Sequence, residues 1–74
     1  MTTNKIQRQL ILEVLRAGPA STLDLRSKGV MHPAGRLMEL RNKGCLIDTH
    51  WSWQFDSAGI RHRQGRYVLL SEAL

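Results

Sequence analysis

The 74-residue sequence predicts an α+β domain, mainly α, in which a three-helix core is followed by a two-stranded antiparallel β-hairpin. Three observations carry this expectation. Apolar residues recur at helical spacing as far as Gly44, the apolar period changes to two after Cys45, and the turn run Asp56-Ser57-Ala58-Gly59 splits the period-two region into two strands. The length predicts one domain, residues 1–74, with a thin margin of stability and no room for a second, effector-binding domain.

The first helix is expected to start at Thr3 as N-cap. Ile6, Leu10 and Val14, with Ile11 and Leu15 beside them, form its apolar face, and Gly18-Pro19 stops it. Ser21-Thr22-Leu23-Asp24 has the capping-box pattern, with Asp24 where Glu or Gln is usual, and opens a short helix to about Lys28. Gly29 ends that helix. His32 stands where an N-cap would, and Pro33 at the first helical position, where its missing N–H costs nothing. Ala34, Leu37 and Leu40 form the apolar stripe of this third helix, residues 32–43, and Gly44 is its stop. Two short helices joined by a tight, glycine-containing turn make a helix-turn-helix. Ile47, Thr49, Trp51, Trp53 and Phe55 then fall on one face of a strand, with Asp48, His50, Ser52 and Gln54 on the other. A returning strand runs from Ile60 to Leu70, with Gly65 a candidate bulge, and Ser71 to Leu74 reads as a loose tail.

Eleven Lys and Arg against six Asp and Glu give a net charge of +5, which favours a polyanionic partner: nucleic acid first, a membrane surface second. The single Cys45 forms no internal disulfide and reads as a small buried hydrophobe in a reducing compartment. No signal peptide and no membrane-spanning run is evident, so a cytoplasmic protein is expected. His32, His50 and His62 have no Cys or acidic partner at metal-ligand spacing, and no nucleophile elbow or phosphate-cradling loop is present. The expectation is a non-enzyme with no cofactor, no metal and no evident small-molecule ligand.

The order of elements, the run from Ser21 through Leu40-Arg41-Asn42-Lys43-Gly44, the following Cys45-Leu46-Ile47-Asp48 and the closing Gly65-Arg66-Tyr67-Val68-Leu69-Leu70 together resemble the small winged helix-turn-helix proteins of bacterial and bacteriophage genomes. The resemblance covers most of the chain and implies double-stranded DNA as partner, the helix starting near His32 as reader and the hairpin as wing.

In such motifs the N-terminal residues of the second helix lie nearest the base edges, which places His32, Gly35 and Arg36 first, with Glu39 next. Arg36 suits the O6 and N7 of guanine, Glu39 the N4 of cytosine, and Gly35 allows close approach. Arg26 and Lys28 at the end of the second helix, and Lys43 in the last turn of the third, suit phosphates; Lys43 and Arg41 also complement the helix dipole. On the returning strand Arg61, Arg63 and Arg66 suit the backbone or the minor groove, although edge protection is the plainer use of strand arginines. Trp51 is expected in the core. Trp53 and Phe55, further along the hairpin, are open between core, dimer contact and base stacking. One small domain makes few contacts, so a homodimer or adjacent binding on half-sites is expected. The alternative is a protein-interaction module that docks through the aromatic hairpin.

Overall fold

The computed structural model describes residues 3–72. Three helices, α1 (Asn4–Ala17), α2 (Thr22–Ser27) and α3 (Pro33–Asn42), pack against an antiparallel sheet of β1 (Ala20–Ser21), β2 (Leu46–Phe55) and β3 (Arg61–Ser71) in the order β1-β3-β2. The sheet therefore has three strands rather than the expected two. Strand β1 pairs Ala20 with Tyr67 and Ser21 with Arg66. Two residues carry no detectable period, and Ser21 serves both as strand end and as helix cap, which is why the strand is hidden in the sequence.

The capping signals act as expected. Thr3 Oγ1 accepts from the Ile6 amide at 3.2 Å, and Ser21 and Asp24 form a reciprocal capping box, each side chain accepting from the other's amide. His32 makes no side-chain cap bond, and Pro33 alone marks the start of α3. Both helices of the motif end in the same way: Val30 donates to the Leu25 carbonyl and Cys45 to that of Leu40, across Gly29 (φ +100°) and Gly44 (φ +103°). Only glycine adopts that backbone cheaply, so the two stops fix where α2 and α3 finish.

Ile11, Leu15, Ala20, Leu25, Val30, Leu37, Leu40, Cys45 and Ile47 form the core, with Leu10, Leu12, Val14, Tyr67 and Leu69 packed around it. The helices sit rotated relative to the expected stripes. On α1 Ile6 is exposed while Gln7 is buried, because the Gln7 side-chain oxygen accepts the Met31 amide at 3.2 Å and so pins the loop that leads into α3. On α3 the buried set is Pro33, Leu37 and Leu40, and Ala34 faces outward.

Pairing of β2 with β3 is regular from Ile47↔Leu69 to Phe55↔Arg61. The irregularity lies at Leu46/Ile47, not at Gly65. Gly65 stands opposite Trp51, and a Cβ there would meet the indole at 3.0 Å, so this glycine leaves room for a ring. Trp51 is 58% exposed and is no core residue. The hairpin carries its period-two pattern beyond the three-helix body, so its distal residues have no helix to bury against. Ser71 belongs to β3, and Glu72 accepts from Arg16 Nε at 2.7 Å, which ties the end of β3 to α1. The rest of the expected tail, residues 73 and 74, lies outside the described residues.

Candidate nucleic-acid interface

The outward side of α3 is less charged than the sequence suggests. Exposed there are Ala34, Met38, Arg41 and Asn42, with Met31 and His32 before the helix and Lys43 at its end. Gly35 is half-buried, yet a Cβ built on it meets nothing within 4 Å. The glycine is therefore not required by packing inside the molecule.

Arg36 and Glu39 lie toward α1. Arg36 Nη1 donates to Asn4 Oδ1 at 2.6 Å and Nη2 to Glu39 Oε2 at 3.1 Å, while its Nε lies 2.8 Å from Glu39 Oε1 in an ion-pair contact off the N–H direction. Arg8 Nη1 donates to Glu39 Oε1 from the other side at 2.9 Å. The hydrogen bond from Arg8 is the largest influence on the Glu39 carboxyl and, with the charge of Arg36, holds it below the usual carboxylate range although desolvation opposes them. One carboxylate thus joins two arginines and fixes α3 to α1.

Arg41 makes the corresponding link to the hairpin. Its Nε and Nη2 donate to the Ile47 carbonyl at 3.0 and 2.8 Å, and Nη2 also reaches Thr49 Oγ1 at 3.0 Å. A hollow opens beside this link, lined by Ala34, Met38, Asn42, Thr49, Trp51 and Tyr67. It joins the exposed flank of α3 to the face of the hairpin.

On that face the register places Trp51, Trp53 and Phe55 of β2 alternately with Arg63 and Arg61 of β3. The Arg63 guanidinium lies 4.2 Å from the ring centre of Trp51, and that of Arg61 lies 4.2 Å from the ring centre of Trp53. Stacking on an indole holds each charge at a fixed height while leaving its N–H groups available at the rim. Arg66 does not join them. It pairs with His50 and Ser21, on the opposite sheet face, and its charge together with that of Lys28 reaches Asp24. Arg66 thus belongs with the exposed Arg26 and Lys28 of the α2 end. Sequence reasoning missed Arg41 and Met38 as parts of this surface. Arg41 reads in the sequence as a complement to the helix dipole, and Met38 carries no charge to mark it.

The hairpin tip is ordered by Asp56, whose carboxylate accepts from the Ala58 and Ile60 amides at 2.9 Å and contacts His62 Nε2 at 2.7 Å. The His62 contact, then the Ile60 amide, lowers the Asp56 carboxyl from its usual range. A carboxylate depressed in the fold contributes stability above its unfolded pKa of about 3.9, and that contribution disappears as pH falls through the folded value. The tip is therefore expected to hold at neutral pH and to loosen below about pH 4. Amide chemical shifts of Ala58 and Ile60 followed from pH 7 to pH 2 check this, and an Asp56→Asn chain should lack that acid step.

Among the described residues no group of three or more His, Cys, Asp or Glu is placed to hold a metal ion, and no helix is long and apolar enough to cross a membrane. Comparison with known proteins gave no match to a curated protein and none to a solved structure. A family model described as a winged helix-turn-helix domain matches residues 6–72, from within α1 through α2, α3 and the sheet up to the Glu72 contact. The three helices and the hairpin after the third agree with that description, and the chain belongs to the winged helix-turn-helix domain family, whose members are in general DNA-binding modules rather than enzymes.

Proposed function

We propose that this chain is a sequence-specific reader of double-stranded DNA, acting as a small transcriptional regulator of bacterial or phage type, with two copies on adjacent half-sites. The observation that carries the reading is the placement of Arg61 and Arg63, stacked on Trp53 and Trp51, on the sheet face that opens beside the exposed flank of α3. Two elements thereby present donors in one direction, as a duplex groove and its flanking phosphates demand.

His32 and Gly35 approach the base edges first, with Met38 and Asn42 behind them. Glu39 holds the Arg36 guanidinium in a fixed direction, and contact with a guanine follows when Asn4 yields its place. Arg26, Lys28, Lys43 and Arg66 hold phosphates, while Arg61 and Arg63 meet the backbone or the minor groove from the hairpin.

Fluorescence anisotropy with random-sequence duplex DNA across a salt series tests the reading. A log–log slope of several units is expected as phosphates are neutralised, and absence of binding at low salt overturns it. Gly35→Ala assigns the helix in the same assay. The added methyl meets nothing in the protein, so stability should hold or rise by up to about 1 kcal/mol while DNA affinity falls. Unchanged affinity removes α3 from the position nearest the bases.

A further inference from the structure

Strand β2 is an edge of the sheet over its whole length, since β3 lies between it and β1. In an antiparallel pair the N–H and C=O of one residue point to the same side, alternating along the strand. Asp56 donates its amide to the Ile60 carbonyl, which places residues 56, 54, 52, 50 and 48 on the β3 side of the ladder. Ile47, Thr49, Trp51, Trp53 and Phe55 therefore aim their backbone groups at the open edge. The Arg41 contact agrees independently, since the carbonyl it occupies is that of Ile47. Arg41 covers the edge near Ile47 and Thr49; from Trp51 to Phe55 no strand, helix or side-chain cap is present among the described residues.

Open edges are normally guarded by Lys, Pro, a bulge or an inward charge. From Thr49 to Phe55 the strand is Thr-His-Trp-Ser-Trp-Gln-Phe, with no Lys, Arg, Asp, Glu or Pro and no bulge. The other edge of the hairpin differs. There β3 runs past the end of β1 and presents Arg61 and Arg63, so two copies meeting along it would set arginine against arginine. The guard stands on one edge and is missing from the other. Trp51, Trp53 and Phe55 on the unguarded one are 58%, 57% and 71% exposed.

We propose that the β2 edge from Trp51 to Phe55 is a pairing site for the same edge of a second copy, antiparallel across a two-fold axis near Trp53, so that two three-stranded sheets join into one of six strands. The segment is complementary to itself: its outward backbone groups lie at alternate positions that match across the axis, uncharged residues face uncharged residues, and aromatic rings meet aromatic rings. The antiparallel direction carries each three-helix body away from the other, so α3 does not obstruct the approach. A two-fold contact of this kind closes on itself, whereas β2 against the β3 edge of a second copy would propagate. The aromatic surface in reach, on the order of 500–900 Å² over both copies, lies below the ~1,200 Å² of a standard interface. The expected dimer is accordingly a micromolar one, which adjacent DNA half-sites would reinforce.

This inference deepens the two-copy reading above, and its test uses the chain without DNA, so its failure leaves duplex binding standing. Sedimentation equilibrium over the micromolar to millimolar range should show a monomer–dimer transition. Trp53→Pro removes an edge-facing N–H that β3 does not use and should abolish the dimer while the backbone amides of β3 keep their protection from exchange. Trp53→Thr keeps that N–H and should retain association, weakened by the lost ring. A wild-type chain monomeric throughout overturns the proposal, as does a Trp53→Pro chain that is folded and still dimeric. Quenching of Trp fluorescence by an unstructured single-stranded oligonucleotide, with no self-association at any concentration, would assign the face to unpaired bases instead.

Discussion

Leu25→Ala is expected to cost about 3–4 kcal/mol of folding stability. Leu25 is fully buried, is the one buried residue of α2, and belongs to the same core cluster as Ile11, Val30 and Leu37. Truncation removes the transfer energy of the side chain and leaves a cavity that a six-residue helix, capped at both ends, has little freedom to collapse. A domain of this length has a total stability of about 4–11 kcal/mol, and a small core places it toward the lower end. The variant should thus sit close to half-unfolded under mild heating, with its urea midpoint lowered by a large fraction. A loss under about 1 kcal/mol would mean that α2 does not close the core in this way. DNA binding by the variant at low temperature should decline with the folded fraction, because Leu25 touches no proposed contact.

Arg61→Gln/Arg63→Gln is expected to lower affinity for duplex DNA by about 10- to 100-fold at moderate salt and to reduce the log–log salt slope by roughly two units. Both guanidinium groups are held over indoles and make no ion pair among the described residues, so their charge is not already neutralised inside the molecule. Glutamine retains hydrogen bonding and strand compatibility but neither the charge nor the stacking, so a loss in slope isolates the electrostatic part. Folding should change little, since the rings they cover are exposed with or without them. The same double substitution on Arg8 and Arg16 serves as a contrast. Those arginines are spent on Glu39 and Glu72, and their loss should appear in stability before it appears in the salt slope. An unchanged slope in the Arg61/Arg63 variant would remove the hairpin from the DNA-facing surface.

What the sequence disclosed and what it hid divide along a physical line. Local signals were legible: the Thr3 cap, the Ser21–Asp24 box, Pro33 at a helix start, and Gly29 and Gly44 at the two stops are properties of four to six consecutive residues. So was the hairpin, whose turn and alternation lie within one stretch of chain. Hidden were the features that depend on distant partners. Ile6 reads as core until the Met31 amide is brought against Gln7 beside it, and Ala34 reads as core until Pro33 takes its place. Arg36 and Glu39 read as a free polar face until Arg8 and Asn4 arrive from α1. Trp51 reads as core and is exposed, because alternation reveals which side a strand residue takes and not how far the strand outruns the body it packs on. Arg66 reads with Arg61 and Arg63 by proximity in sequence, although an offset of odd number puts it on the other side of the sheet.

The Arg41 contact has a mechanical meaning. Helix α3 and the hairpin are also joined by the short turn through Gly44 and Cys45 and by the core packing of Leu37 and Leu40 with Ile47. One guanidinium that grips the Ile47 carbonyl twice and Thr49 once acts as a strut between the two arms, setting how wide the molecule stands open.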